Sequence, residues 1–220
     1  METRTATPHL ERYYSKRAAE YEQVYDKPER QHELEWLRHR IPDALRDRTV
    51  LEVACGTGYW TQFIAREAEH VYACDINDSV LEIAREKPIA AGRASFFKAD
   101  AVTLQGVPPG CDAAFAGFWW SHVKKSGLAQ FLSALASKLE SGSVVAILDN
   151  SYAEGSSTPV SRRDAEGNTY QMRRLASGEE YEVLKNFPTA DELAAAVRPI
   201  AREAQLESLT YYWLLTFRLK

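Results

Sequence analysis

The chain has 220 residues, of which 45% are hydrophobic and 26% are charged. This balance is typical of a globular protein and excludes fibrous, collagen-like and disordered classes. Twenty-seven Lys and Arg residues against 31 Asp and Glu residues give a formal charge of -4. The bulk charge therefore attracts neither nucleic acid nor an anionic membrane, and we expect no partner of either kind.

The cysteine pattern and the hydropathy indicate an intracellular enzyme or binding protein. Cys55, Cys74 and Cys111 are odd in number and have neither CxxC nor metal-ligand spacing, which favours a reducing, cytoplasmic environment and no metal site. Residues 1–8 lack the apolar stretch of a secretory signal, and no run of about 18 apolar residues occurs. A monomer and a homodimer both remain open.

The first part of the chain predicts a helical cap, which we assign to residues 1–45. Residues 9–22 and 28–40 have helical patterns, and the second begins with Pro28, which suits the first turn of a helix. Leu34 and Leu37 then share one face of this second helix.

From residue 49 the pattern changes to short apolar strands that alternate with amphipathic helices. The predicted strands are 49–54, 70–75, 94–100, 111–118 and 143–150, and the predicted helices are about 59–68, 78–87 and 127–139. Strands that alternate with helices pair in parallel through right-handed crossovers, so residues 49–150 predict an α/β core with a doubly wound sheet.

Residues 151–187 interrupt this rhythm. Segments 168–175 and 180–187 flank a turn-rich stretch and predict an inserted β-hairpin. Thr189 and Glu192 form a capping-box pattern for a helix over about 189–197, and the β-branched and aromatic residues of 206–220 predict one or two final strands. No linker divides the chain, so we predict one domain, with residues 188–220 completing it.

A glycine turn follows the first strand. Glu52, Ala54, Gly56 and Gly58 stand between this strand and the next helix, where glycines allow backbone N-H groups to approach a ligand closely. Asp75 ends the second strand, and in a doubly wound sheet this position faces the ribose hydroxyls of a bound nucleoside. The turn and the carboxylate together predict a site for an adenosine-type ligand.

The identity of that ligand depends on residues that are absent. Thr61 stands where the dinucleotide fingerprint needs its third glycine, and no Gly-Lys-Ser/Thr follows the turn, so NAD and a phosphate loop are disfavoured. In contrast, the glycine turn, Asp75, Asp100-Ala101 and Asp112, in this order, resemble the class I S-adenosylmethionine-dependent methyltransferases. Ala54 departs from the glycine that the family more often has there.

The resemblance covers residues 49–150 and implies a mostly parallel, seven-stranded Rossmann-like sheet that binds S-adenosylmethionine. It implies that Asp75 binds the ribose, Ile76 packs on adenine and Asp100 meets the adenine amino group. It also implies that Glu52 and the glycine backbone line the methionine portion and that tyrosines of the cap cover the cofactor. The implied cofactor-binding residues are Tyr14, Tyr21, Glu52, Ala54, Gly56, Gly58, Asp75, Ile76, Asp100, Ala101 and Phe118.

The end of the fourth strand supplies the candidate catalytic residues Trp119, Trp120 and His122. Ligands of open α/β sheets bind at this edge, where aromatic faces can favour a sulfonium and a histidine can accept a proton near neutrality. Both tryptophans could instead belong to the core, and His122 could be structural. The segment from Phe118 lacks the Asn/Asp-Pro-Pro-aromatic motif of base-amine methyltransferases, which argues against a nucleobase acceptor.

The insertion concentrates arginines and aromatic residues, and we expect it to select the acceptor. Arginine binds carboxylate and phosphate groups bidentately, so we predict a small acceptor with an acidic group. Alternation places Gln171 and Arg173 on one face of the hairpin and Tyr170 and Arg174 on the other, and it leaves open which face is inward. The predicted substrate-binding residues are Tyr13, Asn150, Tyr152, Arg162, Tyr170 and Arg173.

The sequence therefore predicts a metal-independent methyltransferase that acts on a nitrogen or oxygen of a small polar or heteroaromatic metabolite. Two other functions remain open. One is a nucleotide-dependent oxidoreductase on a similar sheet. The other is a non-catalytic protein that binds an adenosine-type ligand.

Overall fold

A computed structural model describes residues 8–220, without the side chains of 8–10 and 19. The cap begins with helix α1 (Pro8–Arg17), continues as 3-10 turns (Ala18–Tyr25 and Pro28–Arg30) and ends with helix α2 (Gln31–Ala44). The first α-helix is shorter than predicted, because the backbone tightens into a 3-10 turn from Ala18. Residues 1–7 of the predicted cap lie outside the described residues.

The α/β core follows the predicted alternation of strands and helices. Its strands are β1 (Thr49–Val53), β2 (His70–Asp75), β3 (Ala94–Lys98), β4 (Ala113–Gly117) and β5 (Val144–Asn150). Its helices are α3 (Thr61–Glu67), α4 (Asp78–Arg85) and α5 (Leu128–Ala136).

The C-terminal part contains a second, smaller sheet and completes the main one. Strands β6 (Arg162–Arg163), β7 (Thr169–Arg174) and β8 (Glu180–Leu184) form the small antiparallel sheet. Helix α6 (Ala190–Val197) has the predicted capping box between Thr189 and Glu192, and strands β9 (Ala201–Ser208) and β10 (Tyr212–Leu219) follow it. The predicted hairpin is thus β7 and β8, with β6 as a short third strand.

The main sheet has seven strands in the order β3-β2-β1-β4-β5-β10-β9. Strands β1 to β5 pair in parallel, whereas β10 pairs antiparallel with β5 and β9. This confirms the mostly parallel, doubly wound sheet. The strand order reverses between β1 and β4, and ligands of such sheets bind at the carboxyl ends of the strands beside this switch point.

Two apolar clusters cover the faces of the sheet and hold the carboxyl ends of the strands in place. One contains Leu51, Val53 and Ile147, and the other contains Val50, Ala146 and Leu148, so successive residues of β1 and β5 serve opposite faces. These central strands are apolar on both sides because helices cover both. In the described residues, no helix is long and apolar enough to cross a bilayer.

Candidate functional site

The turn after β1 has an unusual backbone. Ala54, Gly56 and Gly58 have φ angles of 54°, 55° and 74°. A Cβ atom at Gly58 would lie 3.1 Å from the Cβ of Ala84, a tight contact, and the positive φ angle would add strain for any other residue, so glycine suits this approach of the turn to α4. Ala54 holds its left-handed backbone at a cost of about 1 kcal/mol. Strain of this kind is typical of ligand sites.

The carboxylate of Asp75 fixes this turn against the end of β2. Its Oδ2 accepts a hydrogen bond from the backbone N-H of Gly56 at 3.0 Å, and its Oδ1 accepts one from the N-H of Asn77 at 2.9 Å. Burial raises the pKa of Asp75, although these two hydrogen bonds favour its charged form. Each oxygen keeps a second lone pair, so the carboxylate can also accept hydrogen bonds from a ligand.

A cavity of about 730 Å³, its open mouth included, lies over this turn, and we call it the glycine-turn cavity. The residues at the carboxyl ends of β1, β2 and β4 line it, as expected for a cavity at the switch point of the sheet. Most of the predicted cofactor residues line it, namely Tyr14, Tyr21, Ala54, Gly56, Asp75, Ile76, Asp100, Ala101 and Phe118.

Glu52 and Gly58, also predicted to bind the cofactor, do not line this cavity. Gly58 instead packs against α4. Glu52 is 2% exposed, and its Oε2 has no hydrogen-bond partner among the described residues. Burial raises the pKa of Glu52 to about 8, so the side chain is mostly protonated at neutral pH. The sequence showed a carboxylate in the motif but not how deeply β1 buries it.

A second cavity, of about 770 Å³ with its open mouth, lies between the cap and the small sheet. No Asp or Glu is among its described lining residues, whereas five cations are, and we call it the cationic cavity. These cations are Arg17, Lys27, Arg30, Arg173 and Lys185. These cations lie close enough together to repel one another. Burial lowers the pKa of Arg173. The positive charges of Arg17 and Arg30 also lower it, to a lesser degree.

The three cations from the cap have neutral partners. Arg17 donates to the hydroxyl of Tyr13 at 3.0 Å. Arg30 donates through Nε and Nη2 to the Oγ of Ser156 at 3.1 and 2.9 Å, and Lys27 donates to the carbonyl oxygen of Ser156. Because a hydroxyl or carbonyl carries no net charge, these partners orient the cations without neutralising them.

The two cations from the small sheet differ from each other. Arg173 donates to the Oε1 of Gln171, another neutral group. Lys185 forms a buried ion pair with Asp149 at 2.9 Å and also donates to the Oγ of Ser121 at 2.7 Å. Its third N-H has no partner among the described residues and can serve a ligand. Since only Lys185 of the five has a carboxylate partner in the described chain, the cavity has unbalanced positive charge and suits an anion.

The two cavities share a wall of four residues, Tyr14, Tyr21, Phe118 and His122. His122 is fixed in this wall. Its Nδ1-H donates to the carbonyl oxygen of Leu184 at 2.7 Å, and its Nε2 accepts from the Tyr14 hydroxyl at 2.7 Å. The carbonyl can only accept, which sets the tautomer. Both ring nitrogens are thus engaged, so the geometry does not support the predicted role of His122 as a base.

Burial lowers the pKa of His122 to about 3, and the positive charge of Lys185 contributes. His122 takes up a proton near pH 6.5 in the unfolded chain but not in the folded protein. The stability of the fold therefore decreases as the pH falls below about 6.5. The free energy of unfolding of the wild type should therefore decrease between pH 7 and pH 5. We expect this decrease to be smaller by about 2 kcal/mol in His122→Asn. Urea unfolding at the two pH values measures this difference.

The matched control is His39→Asn on the exposed face of α2, which should keep the acid sensitivity of the wild type. A wild-type rate profile with an ionisation near pH 6 that His122→Asn abolishes would contradict a neutral, hydrogen-bonded His122.

The two predicted catalytic tryptophans separate in the structure. Trp119 lines the glycine-turn cavity. Trp120 does not line either cavity. It is 1% exposed and packs edge-on against Trp213, with ring centroids 6.0 Å apart. The 3-10 turn Trp120–His122 directs this side chain into the core, so the prediction of a catalytic Trp120 is corrected.

The predicted substrate residues divide in the same way. Tyr13, Asn150 and Arg173 line the cationic cavity. Arg162 and Tyr170 occupy the outer face of the small sheet, where the Arg162 guanidinium stacks 3.8 Å from the Tyr170 ring and pairs with a glutamate. The structure therefore corrects the placement of these two residues at the site, because strand alternation turns the face of Arg173 inward.

Tyr152 is also outside the cationic cavity. Its side chain is 44% exposed and packs edge-on against Phe187, at the rim of a shallow surface depression. The chain turns after β5, so the tyrosine points away from the site although its neighbour Asn150 faces it.

Sequence reasoning missed several residues of the cationic cavity. The sequence places Lys27 and Arg30 in the helical cap and Lys185 at the end of a hairpin strand, without a role at the site. Lys185 continues the alternation of the buried Tyr181 and Val183, and this pattern could have placed it on the inner face. Nothing comparable in the sequence indicates that the cap turns its cations toward the small sheet.

Comparisons with known proteins find methyltransferases among the proteins similar to this chain. Residues 50–142 match the Methyltransferase domain family. A stretch of 63 residues is 36% identical to the magnesium-protoporphyrin O-methyltransferase of Rhodobacter capsulatus, and it spans only 28% of this chain and 28% of that protein.

Solved structures share the fold along nearly the whole chain. DhpI in complex with SAM and HEP has a TM-score of 0.80 at 24% identity, with 99% of this chain and 100% of that chain covered. CalS10 with bound SAM, an amino pentose methyltransferase from Micromonospora echinaspora, has a TM-score of 0.61 at 19% identity, with 91% and 96% covered. Residues 50–142 are therefore similar to methyltransferase domains, and the chain as a whole has the fold of these solved structures.

Proposed function

We propose that the protein transfers a methyl group from S-adenosylmethionine, bound in the glycine-turn cavity, to a small acceptor in the cationic cavity. The acceptor is a polar or heteroaromatic metabolite that carries an anionic group and is methylated on nitrogen or oxygen. The observation that carries this proposal is the wall that the two cavities share, since methyl transfer requires donor and acceptor to meet.

The donor side rests on the residues around the glycine turn. Asp75 offers free lone pairs for ribose hydroxyls, and Ile76 offers an apolar side chain for adenine. Asp100 and Ala101, which the resemblance assigns to adenine, line the same cavity. Relatives of the same fold were crystallised with SAM or SAH, which supports this ligand here.

The proposal of an anionic acceptor rests on the charges that line the cationic cavity. Four of the five cations that line the cationic cavity have no carboxylate partner in the described chain, so a neutral ligand would leave their repulsion uncompensated. Arginine forks such as Arg30 and Arg173 suit a carboxylate or a phosphoryl group. The third N-H of Lys185 adds a donor near Phe118, whose ring centroid lies 6.0 Å from the Nζ atom.

S-adenosylmethionine, when bound, would supply an activated methyl group, which a nitrogen or oxygen lone pair of the acceptor would attack while the thioether sulfur leaves with the electron pair of the carbon-sulfur bond. The protein supplies alignment and exclusion of water. Tyr14, Tyr21 and Phe118 present aromatic faces where the cavities meet, which favours a sulfonium. Any proton on the acceptor atom passes to solvent, because both ring nitrogens of His122 are engaged.

The rest of the chain serves these two cavities. We propose that residues 1–220 act as one domain, in which the cap (1–45) covers the donor and the insertion (151–187) selects the acceptor around the 49–150 core. The three cysteines are free and buried, which supports a reducing, cytoplasmic location. Tyr14 packs edge-on against both Tyr13 and Tyr21, as residues of a closing segment would.

Turnover across paired acceptors tests the proposal. The protein is incubated with S-adenosylmethionine and small amines or alcohols, each supplied with and without a carboxylate or phosphate group, and adenosylhomocysteine is quantified. We expect product only with the anionic member of a pair. Equal turnover of neutral members would contradict the acceptor class. Tight binding of adenosylhomocysteine without turnover of any acceptor would favour a non-catalytic binding protein.

A further inference from the structure

A buried amide connects the cations of the small sheet to the loop that lines the cationic cavity. Gln171 lies on the inner face of β7 and is 0% exposed. Its Oε1 accepts a hydrogen bond from Nη2 of Arg173, and its Nε2 donates to the carbonyl oxygen of Thr158. The side chain thus has a partner at each end of its amide.

The loop held by this amide also orients a second arginine. Ser156, Ser157 and Thr158 line the cationic cavity, and the Oγ of Ser156 accepts both hydrogen bonds from Arg30. Gln171 therefore contacts Arg173 directly and also holds the loop that orients Arg30. We expect a change at this one position to alter the geometry of both guanidinium groups.

The chemical type of this side chain is as important as its place. A carboxylate at the same position would orient Arg173 equally well, but it would neutralise the guanidinium and reduce its attraction for an anion. An amide provides the acceptor oxygen and leaves the charge available. Removal of the amide would leave Arg173 charged but without its orienting partner.

We propose that Gln171 is a positioning residue that holds Arg173 toward the anionic group of the acceptor without neutralising it, and so sets the preference for an anion. This inference rests on the proposed function, because it assumes that the cationic cavity receives the acceptor. Gln171 acts through Arg173 and the loop.

Two substitutions with opposite chemistry test this role. Gln171→Glu keeps the shape and the acceptor oxygen but adds a charge, whereas Gln171→Met keeps the length and adds none. The probe is inorganic phosphate, titrated calorimetrically into the protein saturated with adenosylhomocysteine. We expect Gln171→Glu to weaken phosphate binding by about tenfold or more and Gln171→Met by about threefold. The affinity for adenosylhomocysteine should change by less than about twofold in both variants.

The matched control is Gln205→Glu on the exposed strand β9, which makes the same change of charge far from the cavity and should leave phosphate binding unchanged. Circular dichroism checks that each variant is folded. Both substitutions remove the donor to the carbonyl oxygen of Thr158, so a role through the loop alone does not predict that Gln171→Met is the milder variant. Equal weakening in the two Gln171 variants, or stronger weakening in Gln171→Met, therefore overturns the proposal.

A parallel titration of Arg173→Ala separates this inference from the proposed function. Weak phosphate binding in Arg173→Ala together with wild-type binding in Gln171→Glu overturns the role of Gln171 and leaves the anionic acceptor site standing. Wild-type binding in Arg173→Ala, or no binding of millimolar phosphate to the wild type, overturns the anionic acceptor site and this inference with it.

Discussion

Asp75→Ala should weaken the binding of adenosylhomocysteine by about 100-fold or more, which corresponds to about 2.7 kcal/mol. The carboxylate accepts hydrogen bonds from the N-H groups of Gly56 and Asn77, so its removal should loosen the glycine turn and eliminate the proposed acceptor for the ribose hydroxyls. Each charge-assisted hydrogen bond that is lost contributes about 1.5 to 3 kcal/mol. Isothermal titration calorimetry measures the change.

Asp78→Ala is the matched control for this prediction. Asp78 lies three residues further along the chain, and its side chain is 66% exposed and pairs with Lys98 at the surface. An exposed pair of this kind contributes little, so the affinity should remain within about twofold of the wild type. The account of the glycine-turn cavity would be wrong if both aspartate variants bound adenosylhomocysteine alike.

Arg173→Ala should raise the KM for an anionic acceptor by about 10-fold to 100-fold and leave the KM for S-adenosylmethionine within about twofold. Arg173 faces the cationic cavity with only the neutral Gln171 as its hydrogen-bond partner, so the anion loses a charge-assisted contact when the guanidinium is removed. Arg173 does not line the glycine-turn cavity. Initial rates with each substrate varied in turn give the two KM values.

Arg162→Ala removes a guanidinium from the same small sheet but from its outer face, where Arg162 pairs with Glu182. Both KM values should therefore remain those of the wild type. A rise in the KM for the acceptor in Arg162→Ala that equals the rise in Arg173→Ala would show that the inner face of the sheet does not select the acceptor. Equal increases for donor and acceptor in Arg173→Ala would show the same.

The parts of the fold that depend on short-range patterns could be predicted from the sequence. Alternating strands and helices predicted the parallel core, and the Thr189 and Glu192 pair predicted the start of α6. The glycine turn and Asp75 were predicted to lie together because they follow neighbouring strands, and the structure places them in hydrogen-bond contact. Such features depend on backbone geometry that a few residues determine.

The parts of the site that depend on long-range packing could not be predicted. Sequence alone did not distinguish Trp119 from Trp120, because the direction of each side chain follows from the 3-10 turn after β4. Alternation defined two faces of β7 but did not show which one meets the cap. The cations Arg30 and Arg173 are far apart in the sequence, and only the tertiary fold places them at one cavity.

The two cavities differ in the charge of the residues that line them. The chain is acidic as a whole, yet no Asp or Glu is among the described lining residues of the cationic cavity, and only Lys185 of its five cations pairs with a carboxylate in the described chain. The glycine-turn cavity, in contrast, contains Asp75 and Asp100. A cationic donor and an anionic acceptor would each find complementary charge, and the aromatic residues Tyr14 and Phe118 lie between them.

The central claim is that the glycine turn and Asp75 form a binding site for the methyl donor, and calorimetric titration of the wild-type protein with adenosylhomocysteine tests it most directly. We expect saturable heat with one site per chain, and the loss of this heat in Asp75→Ala. Absence of heat from a protein whose circular dichroism shows an intact fold would contradict it.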